Sequence, residues 1–152
     1  MMLNFLLREP NCFDRSCTEG HFTASGWLED TFGTNVLLTH HKQFNDWFQL
    51  GGHADGDHDL IRVALKETHE ESGLLGIELL SDKIFDIDVH LVPEYFGIQE
   101  HYHYDVRFLL RATNENEDIQ ISDESIDLQW FSKAPTDSCD LNRMFEKWKK
   151  LK

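Results

Sequence analysis

The sequence predicts an α/β fold in which a mixed β-sheet lies between helices. Segments of alternating polarity, rich in β-branched and aromatic residues, occur before and after a central segment whose apolar residues recur at helical spacing. A second segment with helical spacing follows the last predicted strand. This order of strands, helix, strands and helix favours a layered arrangement over an all-α or all-β one.

The first half of the sequence predicts a hairpin and one further short strand. Residues 21–29 and 35–40 are strand-like and flank the turn-like residues 30–34. The short apolar run 47–50 predicts another strand. It leads into a loop rich in glycine and aspartate, Gly51-Gly52-His53-Ala54-Asp55-Gly56-Asp57.

Residues 59–72 give the clearest helical pattern. Asp57 or Asp59 can cap its first turn, and Gly73 suits the left-handed conformation that often follows a helix. One face of this helix carries the apolar stripe, which is Leu60, Ile61, Ala64, Leu65 and Thr68.

The second half predicts three strands and a final helix. They occupy residues 84–92, 102–112, 127–131 and 142–151. In the first of these strands Ile87, Val89 and Leu91 alternate with polar residues, so we expect the apolar side to face the core. The apolar stripe of the final helix is Met144, Phe145, Trp148 and Leu151.

Composition and charge restrict the class of protein. The chain has 152 residues, without repeats or linker-like stretches, so we expect one domain over residues 1–152. Lys and Arg total 14 against 28 Asp and Glu, and the net charge of −14 disfavours binding to nucleic acid or to an anionic membrane. No apolar run approaches the ~20 residues that span a bilayer. Three cysteines are too few for a disulfide framework, and residues 1–7 lack a basic leader, so we expect a cytoplasmic protein.

Three glutamates on the central helix are the strongest indication of chemistry. Glu67, Glu70 and Glu71 are spaced i, i+3, i+4 and project from one edge of the helix, beside its apolar stripe. Like charges at this spacing destabilise a helix by ~0.2–0.5 kcal/mol per pair, and by more when they are desolvated. A hard cation such as Mg²⁺ binds carboxylate oxygens and reverses the sign of this interaction. A solvated helix face is the other interpretation.

The glycine-rich loop before the helix adds a second element. Gly51 and Gly52 allow the backbone to approach a ligand closely, and the amides at a helix N-terminus favour anions. A phosphate-binding loop beside a carboxylate cluster predicts a site in which a metal ion bridges to a phosphate group.

The spacing of these residues resembles a longer pattern, the Nudix box G-x5-E-x7-R-E-U-x-E-E-x-G-U, in which U is a bulky aliphatic residue. Six of the nine specified positions match, namely Gly52, Glu67, Glu70, Glu71, Gly73 and Leu74. His58, Lys66 and Thr68 depart from the pattern, and Asp57 and Asp59 could partly stand in for the glutamate that His58 replaces. Flanking blocks from about Cys12 to about Trp130 resemble a bacterial Nudix subgroup with the loop GGHADGD.

The resemblance implies a Nudix-like α/β/α sandwich and a hydrolase acting on phosphoric anhydrides. The implied reaction breaks a diphosphate bond in a nucleoside diphosphate linked to another moiety, with Mg²⁺ or Mn²⁺ as cofactor. By analogy the metal ligands are Glu67, Glu70, Glu71 and the Gly52 carbonyl, and the catalytic residues are the three glutamates and Lys66. Substrate contacts are expected at Gly51, Gly52, His53 and Tyr95. The implied partner is a nucleotide-type small molecule, and the resemblance is compatible with a homodimer.

Several alternatives for mechanism and function stay open. Glu67, Glu100 and Glu124 are candidates for the general base. A module of the same fold that binds or senses a nucleotide without efficient turnover is favoured by His58 and Lys66. A diphosphate isomerase ranks last, because no cysteine lies in the central motifs.

Three other motifs suggest metal binding. His101-x-His103, with His90 or His53, could bind a metal or phosphate, although surface polar residues are the better-supported interpretation. Cys12-x4-Cys17-x3-His21 offers three zinc ligands at an unusual spacing. Asp55-x-Asp57-x-Asp59 is not an EF-hand, because its sixth and twelfth positions are Leu60 and Lys66.

Overall fold

A computed structural model describes the whole chain, from Met1 to Lys152. Its helices and strands are, in chain order, α1 (Met2–Arg8), β1 (Gly20–Glu29), β2 (Val36–His41), β3 (Asp46–Phe48), β4 (Leu50–His53), α2 (Leu60–Ser72), β5 (Ile77–Leu79), β6 (Asp86–Val92), β7 (His101–Ala112), β8 (Ser125–Phe131) and α3 (Cys139–Lys149). All eight strands belong to one sheet.

The centre of the sheet is the parallel pair β1 and β7. These strands run side by side from Gly20, opposite Tyr102, to Glu29, opposite Arg111. Every other strand pair is antiparallel: β2 and β4 pair with β1, β5 and β6 pair with β7, and β3 and β8 pair with β2. The predicted α/β class with a mixed sheet is therefore confirmed.

The central strand β1 is covered on both faces. All of its residues are buried. On one face Phe22 and Ala24 pack with Val63 and Ala64 of α2. On the other face Trp27 packs with three α3 residues, Met144, Phe145 and Trp148. Because both faces are apolar at these positions, the sheet lies between two helical layers.

Both predicted helices are present. α2 follows Asp59, whose carboxylate accepts a hydrogen bond from the Arg62 amide, and it ends at Gly73 with φ 73° in the left-handed region. α3 begins and ends earlier than predicted, so Leu151 lies beyond it and is exposed rather than packed. None of the three helices has the length and apolar character that crossing a bilayer requires.

The prediction of one strand at residues 47–50 is wrong, because this segment contributes to two strands. β3 pairs with β2 and β4 pairs with β1, so the chain changes partner at Gln49. Gly51 and Gly52, predicted to lie in a loop, are strand residues of β4. α1 and β5 were not predicted, because elements of seven and three residues are too short for a periodic pattern.

In β6 the predicted alternation holds only in part, because Val89 packs against the core as expected but a polar residue of the other side is buried too. Asp86 is 6% exposed, whereas Ile87 is 52% exposed. The Asp86 carboxylate accepts hydrogen bonds from Arg107 and Arg143, which neutralise it in the interior. Since these cations come from β7 and α3, the alternation within β6 alone could not reveal them.

The contact between α2 and β1 is closest at Gly26. A Cβ there would overlap Thr68 Oγ1 and lie 2.5 Å from Leu110 Cδ1, so only glycine fits without a shift. Thr68 is fully buried, and its hydroxyl has no hydrogen-bond partner. The departure from a bulky aliphatic residue at this position is therefore a packing change.

We expect Thr68→Val to raise the free energy of unfolding by about 1 kcal/mol. The substitution replaces an unpaired buried hydroxyl with a methyl group of similar size. Chemical denaturation at neutral pH measures the change. Gly26→Ala, which introduces the overlapping Cβ, should have the opposite sign. A Thr68→Val variant less stable than the wild type would contradict this account.

Candidate active site

The packing of α2 over β4 positions two of the three glutamates. The Glu67 carboxylate lies over Gly52, where a Cβ would come within 2.5 Å of it. The Gly51 amide donates a hydrogen bond to Glu71 Oε2 at 3.4 Å. The absence of a side chain at Gly52 thus lets the strand backbone pass directly beneath Glu67, whereas Gly51 accommodates the backbone of Ala24 and Ser25 in β1.

Burial and mutual repulsion dominate the electrostatics of this cluster. Glu71 is 8% exposed, Glu67 is half-buried and Glu70 is exposed. Burial, with the negative charges of Glu124 and Glu67, raises the pKa of Glu71 to about 8. Burial and the charge of Glu70 also raise the pKa of Glu67.

These features fit a divalent cation. Desolvated carboxylates that repel one another are stabilised in their ionised form by a hard cation, and oxygen is the ligand atom that Mg²⁺ prefers. The carboxylate oxygens of Glu67, Glu70 and Glu71 do not all approach one another within 4.8 Å. Oxygen ligands of one Mg²⁺ lie at most about 4.2 Å apart, so these side chains would have to move closer together to bind a single ion.

Two charged residues that the sequence analysis did not identify border the glutamates. Arg15 Nε and Nη2 donate to the two Asp55 carboxylate oxygens, each at 2.7 Å. Asp55 contributes to the raised pKa of Glu67, and the charges of Glu67 and Glu124 act on Arg15 in turn. Arg15 lies in an irregular segment before β1, where no motif indicated a role.

The structure separates the three candidates for the general base. Glu124, in the turn before β8, is close enough for its charge to raise the pKa of both Glu71 and Glu67. Glu100 is exposed immediately before β7 and is not among the main charges acting on either group. The structure therefore brings Glu67 and Glu124 together and leaves Glu100 apart.

Of two further predicted site residues, Lys66 acts on the glutamates through its charge, whereas Tyr95 makes no contact with them that the structure shows. Lys66 is exposed on α2, and its charge favours the ionised form of Glu67. Tyr95 lies in the turn between β6 and β7, where its ring packs on Phe96 with centroids 4.4 Å apart. It makes no hydrogen bond to the glutamates.

The box position at residue 58 has no carboxylate replacement. The His58 ring stacks on Phe13, with centroids 4.2 Å apart. Asp57 accepts two hydrogen bonds from the Arg62 side chain, and Asp59 caps α2. The prediction that Asp57 and Asp59 partly stand in for the missing glutamate is wrong, because both are engaged at the start of the helix.

His53 belongs to a second cluster on the opposite face of the sheet. Its neighbour Gly52 faces Glu67, and alternation along β4 directs His53 the other way. Its ring centroid is 5.1 Å from that of His21 and 5.0 Å from that of His103. Burial and the charge of Arg15 lower the pKa of His53 to about 4, and burial with neighbouring imidazoles lowers that of His103 to about 2.

The zinc set suggested by Cys12, Cys17 and His21 is not formed. Cys12 is buried in the apolar core with Phe5 and Phe22. The only three potential ligands whose atoms lie within 4.8 Å of one another are histidines.

The similarity of the chain to known proteins extends well beyond the box residues. The model of the NUDIX domain matches residues 20–142. The chain belongs to the Nudix family. This Nudix protein is thus a hydrolase of the type that acts on phosphoric anhydrides, as the pattern predicted, and the family generally uses divalent metal ions.

Solved structures of the same fold come from distant relatives. A NUDIX-family hydrolase from Clostridium perfringens is 22% identical, with a TM-score of 0.66, over 87% of this chain and 98% of that one. A C. elegans Ap4A hydrolase is 18% identical, with a TM-score of 0.64, over 86% and 96% of the two chains. The E. coli dihydroneopterin triphosphate pyrophosphohydrolase is 15% identical, with a TM-score of 0.60, over 83% and 92%. At these identities the likeness concerns the fold alone. No curated protein sequence matches the chain.

Proposed function

We propose that this single Nudix-like domain is a metal-dependent hydrolase of the diphosphate bond in a nucleoside diphosphate linked to another moiety. Glu67, Glu70 and Glu71 are the proposed ligands of Mg²⁺ or Mn²⁺, with a contribution from the Gly52 carbonyl. The nucleotide-type substrate is proposed to contact Gly51, Gly52 and Tyr95. His53, which the sequence analysis also placed among the substrate contacts, is left out because it faces the opposite side of the sheet. We place the reaction in the cytoplasm and assign no nucleic-acid or membrane partner.

One observation carries the proposal: Glu71 is a buried carboxylate beside other carboxylates, with no basic side chain bonded to it. Retaining such a group in the interior costs stability unless a cation offsets its charge. Proteins of like fold include an Ap4A hydrolase and a dihydroneopterin triphosphate pyrophosphohydrolase. Ap4A and dihydroneopterin triphosphate both contain a phosphoric anhydride, which supports that class of bond as the one attacked here.

The proposed mechanism assigns each step to a residue at this site. The Glu67, Glu70 and Glu71 carboxylates would hold a divalent cation, which would supply positive charge to offset that of the diphosphate and would make bound water more acidic. In the hydrolysis a water molecule attacks phosphorus and gives its proton to the Glu124 carboxylate, and the P–O bond of the anhydride breaks with its electron pair on the leaving phosphate. The positive charge of Lys66 favours the ionised form of Glu67 and partly offsets the effect of burial on its pKa. Positioning and charge stabilisation, rather than a protein nucleophile, drive such reactions.

The alternative is a module of the same fold that binds a nucleotide and turns it over poorly. The geometry at residue 58 favours it, since His58 stacks on Phe13 and neither flanking aspartate is free to replace the box glutamate. The presence of all three glutamates, Glu67, Glu70 and Glu71, on α2 favours a hydrolase over a binding module.

A screen for hydrolysis distinguishes the two functions. Nucleoside triphosphates, dinucleoside polyphosphates, dinucleotide cofactors, nucleotide sugars and ADP-ribose are incubated with the chain and Mg²⁺ or Mn²⁺, and the products are separated by chromatography. We expect turnover of at least one nucleoside diphosphate derivative, loss of turnover in a chelator, and at least about a hundredfold decrease in Glu67→Gln.

Glu146→Gln is the matched control, because Glu146 is an exposed glutamate on α3. It should retain wild-type turnover. If no compound is hydrolysed but some raise the melting temperature, the binding module replaces the enzyme as the function. Hydrolysis that persists in the chelator would contradict the metal-dependent mechanism.

A further inference from the structure

Five histidines converge at one end of the sheet from four neighbouring strands. His21 lies in β1, His53 in β4, His90 in β6, and His101 and His103 in β7. The His90 ring lies 5.5 Å from that of His103, and its Nδ1 is bonded to Asp88. The parallel register of β1 and β7 places His21 directly beside His103. One ligand nitrogen from each of His21, His101 and His103 lies within 4.8 Å of the other two.

The Nδ1 hydrogen bonds of two of these rings fix which nitrogen carries the proton. His21 Nδ1 lies 3.4 Å from the Cys17 carbonyl oxygen, and His101 Nδ1 lies 2.9 Å from the Gln99 carbonyl oxygen. A carbonyl oxygen can only accept, so each Nδ1 carries the proton and each Nε2 presents a lone pair. Proteins orient metal-bound histidines by this same bond to a backbone carbonyl.

The Nε2 atom of His21 distinguishes a ligand site from a surface cluster. His21 is 4% exposed, and this atom has no hydrogen-bond partner. A buried lone pair without a partner is unfavourable unless something binds it. An ion between the three rings would provide that partner.

The spacing between the rings also suits an ion. The Nε2 atoms of His101 and His103 are 3.2 Å apart, and His103 Nε2–H donates to His101 in a hydrogen bond that a metal ion would replace. Two nitrogen ligands of a tetrahedral ion, each about 2.0–2.1 Å from it, stand about 3.4 Å apart. Little movement would therefore bring both rings onto one ion.

We propose that His21, His101 and His103 form a second metal site, selective for a first-row transition ion such as Zn²⁺. Imidazole nitrogen suits Zn²⁺, whereas Mg²⁺ prefers oxygen, so the set discriminates against the ion proposed for the glutamates. Three protein ligands leave a fourth position for water or an anionic oxygen, and His53 borders it. The site lies on the sheet face opposite Glu67, and it does not depend on the proposed hydrolysis.

A cobalt titration tests this site directly. The full-length chain, freed of metal with a chelator and then dialysed, is titrated with Co²⁺ in a large excess of Mg²⁺, and the visible absorption of four-coordinate cobalt is followed. We expect one equivalent to bind and Zn²⁺ to displace it. His103→Ala and His101→Ala should each weaken binding by at least about tenfold.

Two controls separate this site from the glutamates and from histidines in general. Glu71→Gln and His40→Ala should both bind Co²⁺ like the wild type, since His40 is bonded to Asn45 outside the cluster. Circular dichroism confirms that each variant is folded. If His103→Ala does not fold, the half-buried His101 gives the deciding variant. Absence of stoichiometric binding by the wild type, unchanged binding in His101→Ala, or loss of binding in Glu71→Gln would overturn the proposal.

Discussion

Arg107→Met is expected to lower the free energy of unfolding by about 3–5 kcal/mol, because it removes the cation that two buried carboxylates, Asp86 and Asp105, share. Arg107 is 2% exposed. Its guanidinium lies 2.9 Å from an Asp105 oxygen and 3.0 Å from oxygens of Asp86 and Asp140. Methionine fills a similar volume but neutralises none of them. Urea denaturation at pH 7 measures the loss.

The stability difference between Arg107→Met and the wild type should depend on pH, because Arg107 pairs with the Asp86 carboxylate. The cations Arg143 and Arg107 hold the pKa of Asp86 down at about 2, below its unfolded value of about 3.8. Asp86 therefore contributes stability that is present above the unfolded pKa and is lost as pH falls through the folded one. The gap between Arg107→Met and wild type should be widest above about pH 4 and shrink below it.

Arg62→Met is the matched control for a surface ion pair. Arg62 is paired with Asp57 at the exposed start of α2. Its removal should change stability by no more than about 1 kcal/mol. If Arg107→Met and Arg62→Met lowered the free energy of unfolding equally, burial would not explain how much the Arg107 ion pairs stabilise the fold.

The features that the sequence predicted well are those encoded by neighbouring residues. α2 has a continuous apolar stripe, an aspartate cap and a terminal glycine, and the Glu67-Glu70-Glu71 spacing on it depends only on helical geometry. Because the box residues lie within one helix and the strand before it, their proximity follows from local structure. The family pattern could likewise be matched from the sequence, because its residues are neighbours along the chain.

Features that depend on strand pairing could not be predicted in this way. His21 and His103 are far apart in sequence and meet only because β1 and β7 run parallel in one register. The cations that pair with Asp86 come from β7 and α3, so the alternation within β6 did not predict that Asp86 is buried. Such contacts require the topology, which local periodicity does not contain.

Glu71→Gln is expected to abolish most activity while stabilising the metal-free protein. Glu71 has a pKa of about 8 in the folded chain, raised above its unfolded value of 4.5 by burial and by the charges of Glu124 and Glu67. The stability associated with its protonated form is present below pH 4.5 and is lost as pH rises towards 8. Glutamine stays neutral and escapes this loss. In a chelator at pH 8 the variant should exceed the wild type by a few kcal/mol, on the order expected for such a shift.

Addition of Mg²⁺ should make the wild type more stable than Glu71→Gln. This reversal would distinguish a metal-binding carboxylate from one that is merely poorly packed. Binding to the folded state alone stabilises the wild type by mass action, whereas the variant has lost a charged ligand. Turnover of the variant should fall at least about a hundredfold, with Glu146→Gln unchanged in both measurements. If Mg²⁺ stabilised the two proteins equally, Glu71 would not be a ligand, and its burial would have to be explained by packing. If the variant is more stable than the wild type without metal and less active with Mg²⁺, the fold retains an unfavourable charge for the reaction it performs.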